Sequence, residues 1–152
     1  MALANMFTSQ VSDQVIQRIN KLTPETKGLW GKMSVAQTLA HNNVPYEMVY
    51  EDKHPVPNAF MKWMLRKLVK NGVVNEVPYP RNSRTAPAFI IKGERNFEEE
   101  KTRLIDYIRK TQQLGEDYFH NKVSHSFGAL SKTEWNNMFY KHIDHHLTQF
   151  GV

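Results

Sequence analysis

Cysteine is absent from the 152 residues, which excludes disulfide staples, thiolate metal sites and cysteine nucleophiles together. Any metal bound here must sit on nitrogen and oxygen donors. Also missing is any run approaching the roughly 20 apolar residues that span a bilayer. Met1 to Val11 lacks both the basic opening and the apolar stretch of a signal peptide, so the expected compartment is the cytoplasm. The excess positive charge is not gathered anywhere. Lys and Arg number 20 against 15 Asp and Glu, a net +5, but they are scattered without interleaved stacking aromatics, so no nucleic-acid partner is expected. What is present is ordinary: 40% hydrophobic and 23% charged residues describe a folded chain whose length suits one domain over residues 1–152.

Helical punctuation is abundant. Val11, Val15, Ile16 and Ile19 share one face of a helix expected from about Ser9 to Leu22, ended by Thr23-Pro24. Ser34 with Gln37 has capping-box spacing and opens a second helix to about Tyr50; Pro45 inside it predicts either a bend or a break. His54-Pro55-Val56-Pro57 interrupts, a short amphipathic helix covers Ala59 to Lys70, and Asn71-Gly72 stops it. Val73 to Arg95, with Pro78, Pro80 and Pro87, is a long connection in which only Phe89-Ile90-Ile91 suggests an extended piece. Asn96 caps a helix from Phe97 to Leu114, supported by Glu98, Glu99 and Glu100 at its start and by Arg109 and Lys110 towards its end. After a His-rich link from His120 to Gly128, Ser131 and Glu134 form a second capping box for a last helix, Lys132 to Gln149. The expected fold is all-α: a four-helix bundle with a long crossover between helices two and three and a short extra helix.

The C-terminal segment carries the chemistry. At about 100° per residue, His142 and His146 fall in the middle of the face shared by Trp135, Met138, Phe139 and Phe150. Two buried imidazoles need partners, since an unpaired buried polar group loses about 1–3 kcal/mol. A metal ion would satisfy both, because i, i+4 spacing aims two ring nitrogens at one point; ordinary hydrogen bonds would satisfy them as well. His145 lies at the border of this face and Asp144 points away. In a bundle a third ligand comes from a facing helix, and His41 leads. Glu47, Glu51, Asp52 and His54 read as surface groups.

The segments Leu29-Trp30-Gly31-Lys32-Met33-Ser34-Val35-Ala36-Gln37-Thr38-Leu39-Ala40-His41 and Trp135 to Gln149 resemble the DinB-like superfamily of metalloenzymes, in particular one of its small branches of unassigned function. His125-Ser126-Phe127-Gly128-Ala129-Leu130-Ser131 and His145-His146-Leu147-Thr148-Gln149-Phe150 carry the similarity most specifically. The resemblance implies a four-helix bundle holding a metal with one histidine of helix two and two of helix four, which are His41, His142 and His146 here. It also decides for His41 over His54. Characterised relatives include transferases and isomerases that use low-molecular-weight thiols. Many relatives carry arginine where this chain has Leu147, so any role of that arginine does not transfer.

The expected function is therefore a metal-dependent enzyme, a thiol-dependent transferase or a hydrolase, with one divalent ion, zinc, nickel or iron, on three neutral imidazoles. The alternative is a non-catalytic metal-binding or stress-associated bundle. His145 and Gln149 are expected beside the site or on its substrate side. The expected partner is a small molecule, a thiol or a carboxylate; Arg81, Arg84, Lys92 and Arg95 of the long connection are the groups that could meet an anion, although each taken singly reads as a solvated loop charge. Homodimerisation stays open, and no membrane partner is expected: the helix Ala59 to Lys70, basic on one side and apolar on the other, is taken to pack its apolar side on the bundle as a lid.

Overall fold

A computed structural model of the chain describes residues 2–152. Six α-helices dominate it: α1 Ser9–Asn20, α2 Val35–Tyr50, α3 Ala59–Leu68, α4 Lys70–Val74, α5 Phe97–Phe119 and α6 Lys132–Gln149. A 3-10 turn, Pro87–Phe89, and a hairpin of β1 Lys122–Ser124 and β2 Gly128–Leu130 complete the described elements. The strands run antiparallel with Val123 opposite Ala129. Among the described residues no helix is long and apolar enough to cross a membrane.

Local chemistry sets the helix ends. Ser34 and Ser131 both close reciprocal capping boxes, with Gln37 and Glu134, which satisfies two otherwise orphaned N–H groups at each start. The Asn96 side chain accepts from Glu99 N, and Glu98 to Glu100 sit in the positive first turn of α5. Gly115 takes φ +75°, a left-handed value favoured only by glycine, so α5 breaks where the sequence expects a stop and then resumes to Phe119.

Three expectations are corrected. Asn71-Gly72 does not end the helical path, because α4 starts at Lys70 and runs through both residues. The His-rich link forms a hairpin, too short for an alternating pattern to register. And Phe89-Ile90-Ile91 is not a strand; Phe89 closes the 3-10 turn.

The core lies where α1, α2, α5 and α6 meet, with α2 most closely packed on α5. Trp135 and Phe139 of α6 stack on each other, and Phe119 meets both edge-on. Tyr46 of α2 stacks on Phe139 at 4.8 Å. All four are essentially sealed from solvent, and burying a side chain of this size contributes about 1.5–3 kcal/mol. Polar side chains of α6 fasten the periphery to this core. Asn136 Oδ1 accepts from Met6 N at 2.7 Å, Asn137 Nδ2 donates to the Val74 carbonyl, and Lys141 Nζ donates to Gly72 O, Asn75 O and Asn75 Oδ1, each at 2.8 Å. The start of the chain and the end of α4 are thereby pinned against α6.

Candidate metal centre

α2 and α6 bring His41, His142 and His146 together. One ring nitrogen from each lies within 4.8 Å of the others, and His142 Nε2 is 3.0 Å from His41 Nε2. His41 and His146 are buried and His142 is partly so. The α2 helix runs unbroken through Pro45, so the proline neither ends the helix nor removes His41 from it.

Neighbouring carbonyls fix two of the three tautomers. His41 Nδ1 lies 2.8 Å from the Phe89 carbonyl, which can only accept, so Nδ1 carries the proton and Nε2 keeps its lone pair. The second case runs through an amide. Gln149 Nε2 donates to the Trp30 carbonyl at 2.7 Å, which leaves Gln149 Oε1 to accept from His146 Nδ1 at 2.8 Å. His146 Nε2 is then a bare lone pair as well. Such outer partners orient metal-binding imidazoles and set their tautomers.

Electrostatics keep the rings uncharged. Burial lowers the pKa of His41, against the hydrogen bond to Phe89, which raises it. Burial and the neighbouring rings of His41 and His146 hold His142 well below the ordinary histidine value. For His146, burial and then His41 push it down to about 3, with the Gln149 bond opposing. Three neutral imidazoles are the protonation state a metal ion requires. Metal–nitrogen bonds of about 2.0–2.1 Å place tetrahedral ligands roughly 3.3 Å apart, and the observed 3.0 Å spacing and 4.8 Å limit bracket that value. The donor set fits a divalent ion with small ring adjustments.

A family model described as "Protein of unknown function (DUF1569)" matches residues 5–151. The chain belongs to the DUF1569 family. Neither the curated proteins nor the solved structures compared with it give a match.

In this DUF1569 chain the remaining expected residues distribute unevenly. Gln149 stands behind His146, its Oε1 against Nδ1 of the ring. His145 stays out of the triad, its ring edge-on to Trp30, Tyr79 and His146, and burial lowers its pKa while Asp144 opposes. Of the cationic residues in the long connection, Arg81 lies over the Trp30 ring at 4.3 Å, bordering a cleft of about 190 Å³ that His145 also lines; Arg84, Lys92 and Arg95 are exposed. None of the three clustered histidines lines that cleft.

His54 is not a surface group. Its Nε2 meets Glu47 Oε2 at 2.8 Å, and Glu47 is buried with Arg103 beside it. Glu51 is likewise tied down, to Lys53 and to the Tyr107 hydroxyl. Lys53 alone among their partners is a neighbour in sequence, so no local pattern announces the assembly.

Two site residues escaped sequence reasoning. Phe89 supplies a carbonyl to His41 and packs its ring against both His41 and His142, and Trp30 supplies the carbonyl that orients Gln149. The carbonyls of both are backbone atoms, which leave no mark in residue type. Gly31 does leave one. It has φ +84°, strained for any side chain, and a Cβ there would sit 2.3 Å from Gln149 Nε2, so a larger residue would push the amide off its place behind His146. Gly31→Ala should destabilise the protein by about 1–3 kcal/mol in urea denaturation and change the His146 ring-nitrogen signals in NMR; an unperturbed His146 would mean that Gln149 does not set its tautomer.

Proposed function

We propose that this chain is a metal-binding protein of the DinB-like kind, a four-helix bundle formed by α1, α2, α5 and α6, and that His41, His142 and His146 hold one divalent ion for a reaction on a small molecule. One observation carries this reading. Two separate acceptors, Phe89 O and Gln149 Oε1, claim the Nδ1 protons of His41 and His146 and so leave Nε2 lone pairs in a cluster with no counter-charge of its own. Zinc, nickel and iron all suit such imidazoles. Bound on three protein ligands with positions left open, the ion would supply Lewis acidity that makes a thiol or a water a nucleophile near neutral pH. The protein's part is to hold the rings neutral, fix their tautomers and wall one side with Phe89. A thiol-dependent transferase or a hydrolase follows from that chemistry.

Metal analysis of untagged protein dialysed against zinc should find about one ion per chain. His142→Ala/His146→Ala should bind none. Equal metal in the two proteins would overturn the assignment. A cobalt-loaded protein whose visible spectrum shifts with small thiols or carboxylates would support open positions, and a spectrum unmoved by either would place the ion in a closed, structural role.

A further inference from the structure

The lid expected of α3 does not form. None of its residues is buried. At about 100° per residue, Phe60, Met61, Met64, Leu65 and Leu68 share one arc, and Lys62, Arg66, Lys67 and Lys70 share the other. Neither arc is sealed against the body: Met64 and Leu65 of the apolar arc and Lys62 of the cationic one are half-buried, whereas Lys67 and Arg66, which lies over Gly128 of the hairpin, are exposed. Large apolar side chains nevertheless stand open to solvent, with Trp63 placed on the wheel among the lysines. Phe60 is 66% exposed, Trp63 57% and Leu68 77%, with the Phe60 and Trp63 rings stacked at 6.1 Å.

Charge points to the partner. No Asp or Glu occurs between Asp52 and Glu76, and Lys62 and Lys67 on the flanks of the helix make no ion pair among the described residues. A second copy docked through α3 would bring two acid-free cationic segments within a Debye length of about 10 Å. An anionic bilayer instead matches both the cations and the apolar arc, and tryptophan beside lysine is the composition of helices that lie in the lipid interface. From the exposed apolar side chains of α3 and the acid-free basic segment that carries them we infer that this helix seats the protein on anionic membrane surfaces, with Phe60, Met61 and Leu68 entering the interface and Lys62 and Lys67 meeting lipid phosphates. This association is independent of the histidine cluster and replaces the expectation of no membrane partner.

The test is sedimentation of the full chain with phosphatidylcholine vesicles and with vesicles containing about 30% phosphatidylglycerol. Binding to the anionic vesicles is expected, weakened at least about tenfold by 0.5 M salt. Phe60→Ser/Trp63→Ser/Leu68→Ser and Lys62→Glu/Lys67→Glu should each weaken it at least about tenfold with unchanged circular dichroism and metal content. Should the apolar variant misfold, the lysine variant carries the test alone. Wild-type protein that stays in the supernatant with both vesicle types would overturn the proposal. So would binding that the lysine variant retains, or a dimer in light scattering that the apolar variant splits.

Discussion

Freed of metal by a chelator, the protein should lose stability steadily as the pH falls below about 6.5, by about 2 kcal/mol at pH 5 and about 3 kcal/mol at pH 4 from His146 alone. The ring is buried and its pKa is pushed down from 6.5 to about 3. In the unfolded chain the same ring takes up a proton near pH 6.5, whereas the folded protein refuses it, so acid favours unfolding throughout that window and the loss is complete only near pH 3. His41 and His142 are lowered too and add in the same direction. Carboxylates held below their ordinary value of 4.5, Glu51 by Lys53 and Glu116 by Lys132, also lose their contribution as the pH falls, but only below that value. The interval from pH 6.5 to 5 therefore reports the histidines. Urea denaturation of the metal-free protein across it should give a sloping stability, and His142→Ala/His146→Ala should flatten most of the slope. A wild-type profile already flat there would mean that these rings are protonated in the folded protein, which a metal site could not tolerate.

Arg103→Ala should cost about 3 kcal/mol. Arg103 joins two acidic side chains that are each nearly buried: NH1 donates to Glu100 Oε2 at 2.8 Å and NH2 to Glu47 Oε1, while Asn43 Nδ2 donates to the same Glu100 oxygen at 2.8 Å. Removing the guanidinium strands Glu47 with His54 and Lys53 as its remaining partners and leaves Glu100 with one amide. The coupling is the telling quantity. In an Arg103→Ala/Glu47→Gln double variant the second change should cost less than it does alone, because the charge it removes has already lost the guanidinium and keeps only His54 and Lys53. Additive losses by equilibrium denaturation would show that the two side chains do not act as one network.

Where residue type alone sets structure, the sequence was a sufficient guide. Ser34 with Gln37 and Ser131 with Glu134 bracket helices that start where those pairs place them, and the phase of α6 separates His142 and His146 from Asp144. Gly115 breaks α5 as its backbone freedom suggests, but the helix resumes beyond it to Phe119. What stayed hidden depends on distant groups. Nothing near Phe89 indicates that its carbonyl would reach His41, 48 residues away. The periodicity of α3 identifies two faces but not that neither would be sealed, because Gly128, over which Arg66 lies, comes from the far end of the chain. Glu47 looked like a solvated charge for the same reason: Arg103 lies 56 residues away.

The α2 helix buries eleven of its 16 residues and shows almost no polar side. Within seven positions it commits His41 to the triad, Asn43 to Glu100, Tyr46 to the aromatic stack and Glu47 to Arg103. A helix so fully subscribed has no neutral direction in which to drift: nearly any substitution trades packing against site geometry. Diversification of ligand preference would then fall to the connection around Phe89, which reaches His41 through a carbonyl that most residue types can supply. Rigid donor and adjustable rim would thus evolve on different clocks.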